Sequence, residues 1–306
     1  MTPRYRQHLT SAGDVGIRPG RAPDVTVDDL TVPGGTRVRV TRPADAGGRL
    51  PVVLFTHGAG WIFGDDAGYD RLMRELAVRA RAAAVFVDYR HSPENRFSAA
   101  VRECRGALDW VVANAGGLDL DRGRIAVAGD SAGAALTVAV TVPAKRLVTA
   151  QVLLYPMISS TYAGSSAFDT VSYHRRATEH WIRRQSGIWS VPARQSPAPI
   201  AEAAPIAEAA PVAGTAPASE VVRPDADGRF RGLPPALVVV AEADVLREQG
   251  EGYAADLRAA GVPVRTVRHE GVIHDFVMVD ALGDMEAART ATEQAGRYLY
   301  DVLHGN

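Results

Sequence analysis

A chain of 306 residues, 46% of them hydrophobic, is long enough for one substantial core with a subsidiary element and short for two independent domains. Its net charge of -1, with acidic and basic residues mixed along the length, excludes a phosphate-reading surface, so nucleic acid is not expected as a partner. The single cysteine, Cys104, excludes an internal disulfide, and no apolar stretch is long enough to span a bilayer.

The opening residues MTPRYRQHLTSAGDVG lack the apolar run of a secretory signal, which predicts a cytoplasmic protein without stable membrane insertion. From there, short β-rich runs alternate with longer helical patterns, as in repeated βα units around a mainly parallel sheet. Strands are predicted at 38–40 and 52–56, then a helix at 69–80, a strand at 84–87 and a helix at 98–114. Within that helix Cys104 falls in register with Val101, Leu108 and Val112, which predicts a packing role. A strand at 125–128, a helix at 132–140 and a strand at 151–154 follow. After a long interruption the alternation resumes with strands at 236–240 and 264–269 and helices at 246–260 and 285–302. Strands that are apolar throughout imply burial on both faces.

Two regions break the pattern, residues 1–28 and 159–224, and both are expected to be cap or lid elements on a catalytic domain spanning 25–306. In the second, Trp181, Ile182 and Trp189 suggest an amphipathic helix, followed by the hexad PIAEAA, which starts at Pro199 and again at Pro205. Recurrent proline and a lack of large apolar groups predict a disordered Ala/Pro-rich linker over 197–217.

The chemistry gathers at the ends of strands. Gly129-Asp130-Ser131-Ala132-Gly133 follows the strand IAVA and precedes the helical run AALTVAV, the strand, sharp turn and helix of a nucleophile elbow. The pattern GxSxG is weak alone and gains weight from its partners. His57-Gly58-Ala59-Gly60-Trp61 follows the strand PVVLFT, and small residues there bring backbone N–H donors close to a developing oxyanion. Gly58 and Ala59 are expected as donors, with Ala132 as the third. A dinucleotide-binding loop would need glycine at position 63, which is Phe63. Asp244 opens the loop after ALVVVA and is favoured as the acid over Glu242 and Glu248, although it also suits a helix N-cap. His274 lies in a loop after the strand VPVRTVRHE and can reach across the sheet, which favours it as base over His269 on the strand itself. The order Ser131, Asp244, His274 is that of triad members on an α/β-hydrolase sheet. Trp61 and Phe276 flank these motifs and are expected at an apolar substrate pocket, and Asp88, Arg90 and Glu94 as an ion-pair cluster behind the oxyanion loop.

These motifs resemble, over most of the chain, the hormone-sensitive-lipase-like family of bacterial carboxylesterases. Its HGGGW is similar to HGAGW at 57–61, its DYRLAPE to DYRHSPE at 88–94, and its GDSAGG to GDSAGA at 129–134. Its DPLRDEG is similar to DVLREQG at 244–250, and its HGF to HDF at 274–276. The resemblance implies an α/β-hydrolase fold, a mainly parallel central sheet with helices on both faces and a small helical cap. It also implies a serine esterase that uses Ser131, Asp244 and His274, with no metal and no cofactor, on a small-molecule ester of short to medium acyl chain. A homodimer is compatible with it. A specialised acyltransferase, cyclase or amidase, or a binding protein on the same scaffold, are the alternatives. The departures are Ala59 and Asp275, each at a family glycine, and a shorter N-terminal cap.

Overall fold

The computed structural model describes residues 24–92, 94–158 and 228–305. The expected cap over 159–224 with its helix around Trp181, the linker at 197–217 and residues 1–23 lie outside the described residues.

Eight strands form one sheet, and every strand expected from sequence is in it. They are β1 Val25–Thr31, β2 Arg37–Pro43, β3 Leu50–Thr56, β4 Ala83–Asp88, β5 Leu120–Asp130, β6 Ala150–Leu154, β7 Ala236–Ala243 and β8 Val264–Ile273. Their order across the sheet is β1-β2-β4-β3-β5-β6-β7-β8. The pairs β1/β2 and β2/β4 are antiparallel, and all the others are parallel. β1 was not expected as a strand. Its residues 25–28 belong to the sheet rather than to a cap, and Asp28 and Asp29 on it form ion pairs with Arg42 and Arg39 of β2.

The helices are α1 Asp70–Ala80, α2 Phe97–Asn114, α3 Ser131–Ala144, α4 Arg247–Ala259 and α5 Glu286–His304. Alternation along each strand divides the core in two. Val52 and Leu54 of β3, Val85 and Val87 of β4, and Val238 and Val240 of β7 share one core with α2, α3 and α4. Val53 and Phe55, Ala84 and Phe86, and Leu237 and Val239 face the other, covered by α1 and α5. Burial on both faces is why these strands read as unbroken apolar runs. Cys104 is fully buried in α2 as expected, and burial pushes its thiol up. None of the helices among the described residues is long and apolar enough to cross a membrane.

α3 is buried almost all round because it sits directly on the sheet. A Cβ on Gly133 would meet the Thr56 carbonyl O at 2.1 Å and the His57 carbonyl O at 2.4 Å, so only a bare backbone fits. Thr56 Oγ1 closes the same contact by bonding to Gly133 O at 2.9 Å and Thr137 Oγ1 at 2.7 Å. Parallel register puts Thr56 beside Gly129 and Asp130 beside Leu154, so the loops after β3, β5, β6 and β7 emerge along one edge. That carboxyl edge is where open α/β sheets hold their ligands.

Gly133→Ala is expected to destabilise the fold by about 3 kcal/mol, because the added methyl meets backbone that has nowhere to go. Gly106→Ala, on an open face of α2 with nothing within 4 Å, is expected to be neutral or to stabilise by about 0.5–1 kcal/mol. Urea unfolding of the two variants checks both, and equal midpoints would remove the close approach of α3 as a constraint.

Candidate active site

Ser131 is the first residue of α3, where the chain leaves β5 and turns sharply. Its φ of 48° lies in the left-handed region, which a serine occupies only when its surroundings hold it there. The turn points Oγ away from the sheet toward the loop after β8, and the hydroxyl oxygen lies 2.7 Å from His274 Nε2. On the other side of the ring, Nδ1 lies 2.8 Å from Asp244 Oδ2. Asp244 follows β7, its side chain is fully buried, and its Oδ1 accepts the Leu246 N–H at 2.8 Å. One carboxylate therefore both braces the turn that leads into α4 and orients the imidazole, while the N-cap of α4 is Leu246 rather than Asp244. Hydroxyl, imidazole and carboxylate stand in series, an arrangement that moves a proton off the hydroxyl as it attacks an electrophile.

The competing candidates fall elsewhere. His269 Nε2 faces Gln294 Oε1 at 3.3 Å, and Glu242 accepts the Gly271 N–H at 2.6 Å. Glu248 lies in the first turn of α4.

Burial pulls the His274 imidazole down, but the carboxylates of Asp244, Asp275 and Asp130 outweigh it and hold the ring above its ordinary range. Asp275 stands where the resemblance has glycine. Its φ is 62°, and its Oδ1 comes to 3.3 Å from Nε2, the same nitrogen that faces Ser131. The side chain therefore turns toward the base rather than into solvent.

The loop after β3 is the second half of the site. Ala59, Gly60 and Trp61 all have positive φ, at 47°, 65° and 62°. Several bonds hold this strained run. The Trp61 indole N–H donates to Ala132 O at 2.8 Å, the Ser92 N–H donates to Trp61 O at 2.7 Å, and the Tyr89 hydroxyl donates to His57 O at 2.8 Å. The Gly58 N–H donates to Asp130 Oδ1 at 2.8 Å and to the Tyr69 hydroxyl at 3.1 Å, and that hydroxyl donates to Asp130 Oδ2 at 2.9 Å.

This corrects three expectations. Gly58 does not offer its N–H to a substrate, because the Asp130 carboxylate already takes it. The N–H groups of Ala59 and Gly60, which open a short helical turn, and of Ala132, in the first turn of α3, meet no acceptor among the described residues. Trp61 and Phe276 are packing residues, not an open pocket wall: Trp61 is buried against Phe97, and Phe276 is fully buried between Tyr155 and His269. The expected cluster of Asp88, Arg90 and Glu94 also gives way, since Asp88 pairs with Arg37 of β2 and Arg90 with Glu103 of α2. Asp130 and Tyr69 went unnoticed in the sequence. Asp130 is inside the GDSAG motif, but no local pattern announces Tyr69, which comes from the start of α1. Burial and the nearby Asp275 push the Asp130 carboxyl up to about 7, against the pull of its two hydrogen bonds.

A family model described as the alpha/beta hydrolase fold matches residues 53–278. The chain is similar to Esterase LipI of Mycobacterium tuberculosis, 33% identical over 98% of this chain and 88% of that protein. Carboxylesterase NlhH of the same organism is 32% identical over 94% of this chain and 86% of its own. Among solved structures, a thermostable esterase from Pseudomonas putida superposes with a TM-score of 0.80 at 31% identity, covering 99% of this chain and 91% of the other.

Replacing Asp275 by glycine, which suits the positive φ, removes one carboxylate from Nε2. The His274 pKa is expected to fall by about one unit or more, measured by NMR titration of the ring. An unchanged value would mean that Asp275 is electrostatically silent.

Proposed function

We propose, for a chain that belongs to the alpha/beta hydrolase fold family and is a carboxylesterase within it, that Ser131 is the nucleophile, His274 the general base and Asp244 the orienting acid. The observation that carries this assignment is the unbroken series from Ser131 Oγ to His274 Nε2 at 2.7 Å and from Nδ1 to Asp244 Oδ2 at 2.8 Å. His274 takes the hydroxyl proton as Oγ attacks the ester carbonyl, giving a tetrahedral oxyanion. Collapse expels the alcohol, which receives the proton from His274, and leaves the acyl group on Ser131. Water then gives its proton to His274 as it attacks the acyl-enzyme, and the acid leaves with Ser131 restored. The N–H groups of Ala59, Gly60 and Ala132 are the oxyanion donors in this reading, supported by their having no acceptor among the described residues.

The substrate class is a small-molecule ester of short to medium acyl chain. The Ala59 methyl, on the loop that meets the carbonyl, narrows the approach and favours the short end. The chemistry calls on no group beyond these side chains and water. A cytoplasmic setting is supported by a lone, buried thiol, and a homodimer is compatible with the outer edge of β8, which no strand among the described residues covers.

Ser131→Ala is expected to lower kcat on p-nitrophenyl acetate and butyrate by roughly ten-thousandfold or more, and to abolish labelling by a fluorophosphonate probe. Turnover that survives this change would sink the nucleophile assignment, and a product carrying the acyl group on an amine would replace hydrolysis by acyl transfer. Tyr69→Phe tests the loop: kcat is expected to fall roughly tenfold with KM little changed, less than the loss of a donor itself causes. An effect confined to KM would detach Tyr69 from the transition state.

A further inference from the structure

Behind the oxyanion loop stands a second group of chemically capable side chains that shares no residue with the triad. His57 is fully buried, its ring stacked on Tyr89 at 4.3 Å between centroids and on Phe86 at 5.0 Å, which fixes the plane of the imidazole. His91, on the loop after β4, meets it edge-on at 87°. The two Nε2 atoms face each other at 3.4 Å. A carboxylate oxygen of Asp88, the last residue of β4, completes the group, and the three ligand atoms lie within 4.8 Å of one another.

The spacing is informative. At 3.4 Å the two nitrogens are long for a hydrogen bond to nitrogen. A tetrahedral ion bound through nitrogen at about 2.0–2.1 Å sets its ligands about 3.3–3.4 Å apart, the separation already present. Arg37 approaches Asp88 through Oδ2 only, at 2.9 Å from Nε and 2.5 Å from a terminal nitrogen, and Oδ1 lies outside that contact. The Arg37 side chain is two-thirds exposed, so it can swing aside at little cost. Two imidazoles and one carboxylate suit zinc-like ions rather than magnesium or calcium, which take oxygen. His91 also stands where the family pattern DYRLAPE has leucine, so this chain supplies a ligand that the pattern does not.

We propose that His57, His91 and Asp88 bind one divalent transition-metal ion of the zinc type, with solvent completing the coordination sphere. The ion would cross-link the exit of β4 to the residue that opens the oxyanion loop, a join already made by the Tyr89 hydroxyl on His57 O. The site does not depend on which residues perform the hydrolysis.

The test is a Co2+ titration of the full chain after chelator treatment, read by the visible absorption of low-coordinate cobalt and by equilibrium dialysis. One Co2+ per chain is expected in the wild type, in Ser131→Ala and in His274→Ala, displaced by Zn2+. At least a tenfold loss of affinity is expected in His91→Leu and in Asp88→Asn. Circular dichroism confirms that each variant is folded, and His91→Gln replaces His91→Leu if leucine disturbs the loop. Wild-type binding no stronger than that of the His91 variants would overturn the proposal, as would binding that survives both substitutions. Loss in His274→Ala alone would also overturn it, by moving the ion to the triad.

Discussion

The site depends on a buried carboxyl group. The Asp130 carboxylate, wholly removed from solvent, takes the Gly58 N–H on one oxygen and the Tyr69 hydroxyl on the other. An unpartnered carboxylate at that depth would be prohibitively unfavourable, so the loop that supplies its donors has little freedom to leave. Asp130 is also the residue before Ser131. One carboxyl group therefore ties the nucleophile elbow to the oxyanion loop, and α1 is drawn in through Tyr69.

Around this clamp the backbone is repeatedly held in the left-handed region: at Ala59, Gly60 and Trp61 on one side, and at Ser131 and Asp275 on the other. Each of the non-glycine positions stores strain on the order of 1–3 kcal/mol. The strain persists because neighbouring elements overdetermine the geometry. The Trp61 indole is pinned to α3, Met157 donates to Ser131 O at 3.0 Å, and α3 rests on β3 without an intervening side chain. A site built in this way is organised before a substrate arrives, so the donors need little reorganisation as charge develops.

Local sequence patterns revealed most of this architecture. Apolar runs marked β3 to β7 and a β-rich run marked β8, and the ends of β5, β7 and β8 marked Ser131, Asp244 and His274, because chain order and strand termini are properties of the linear sequence. β1 escaped notice because VTVDDLT is an edge strand with mostly exposed residues and no buried face to impose alternation. Partner choice escaped too. Nothing in the spacing of Asp88, Arg90 and Glu94 says that Asp88 faces Arg37 across β2 while Arg90 reaches Glu103 on α2. Gly58 was misread for the same reason: its motif announces a free N–H, and only the approach of Asp130, more than seventy residues away in the chain, reveals that it is taken. Phe276, beside the base in sequence, turns inward because its neighbours Tyr155 and His269 line the core on that side.

β1 leaves one further mark on the protein's behaviour. Among the described residues it is the outermost strand, with no further strand on its outer side, which is where any other chain that extended the sheet would add. Asp28 and Asp29 sit in the middle of that strand, each paired with an arginine of β2. A chain adding along β1 would have to accommodate these acidic groups beside its own backbone, so the polar character that hides β1 from sequence inspection also discourages the molecule from polymerising through its own sheet.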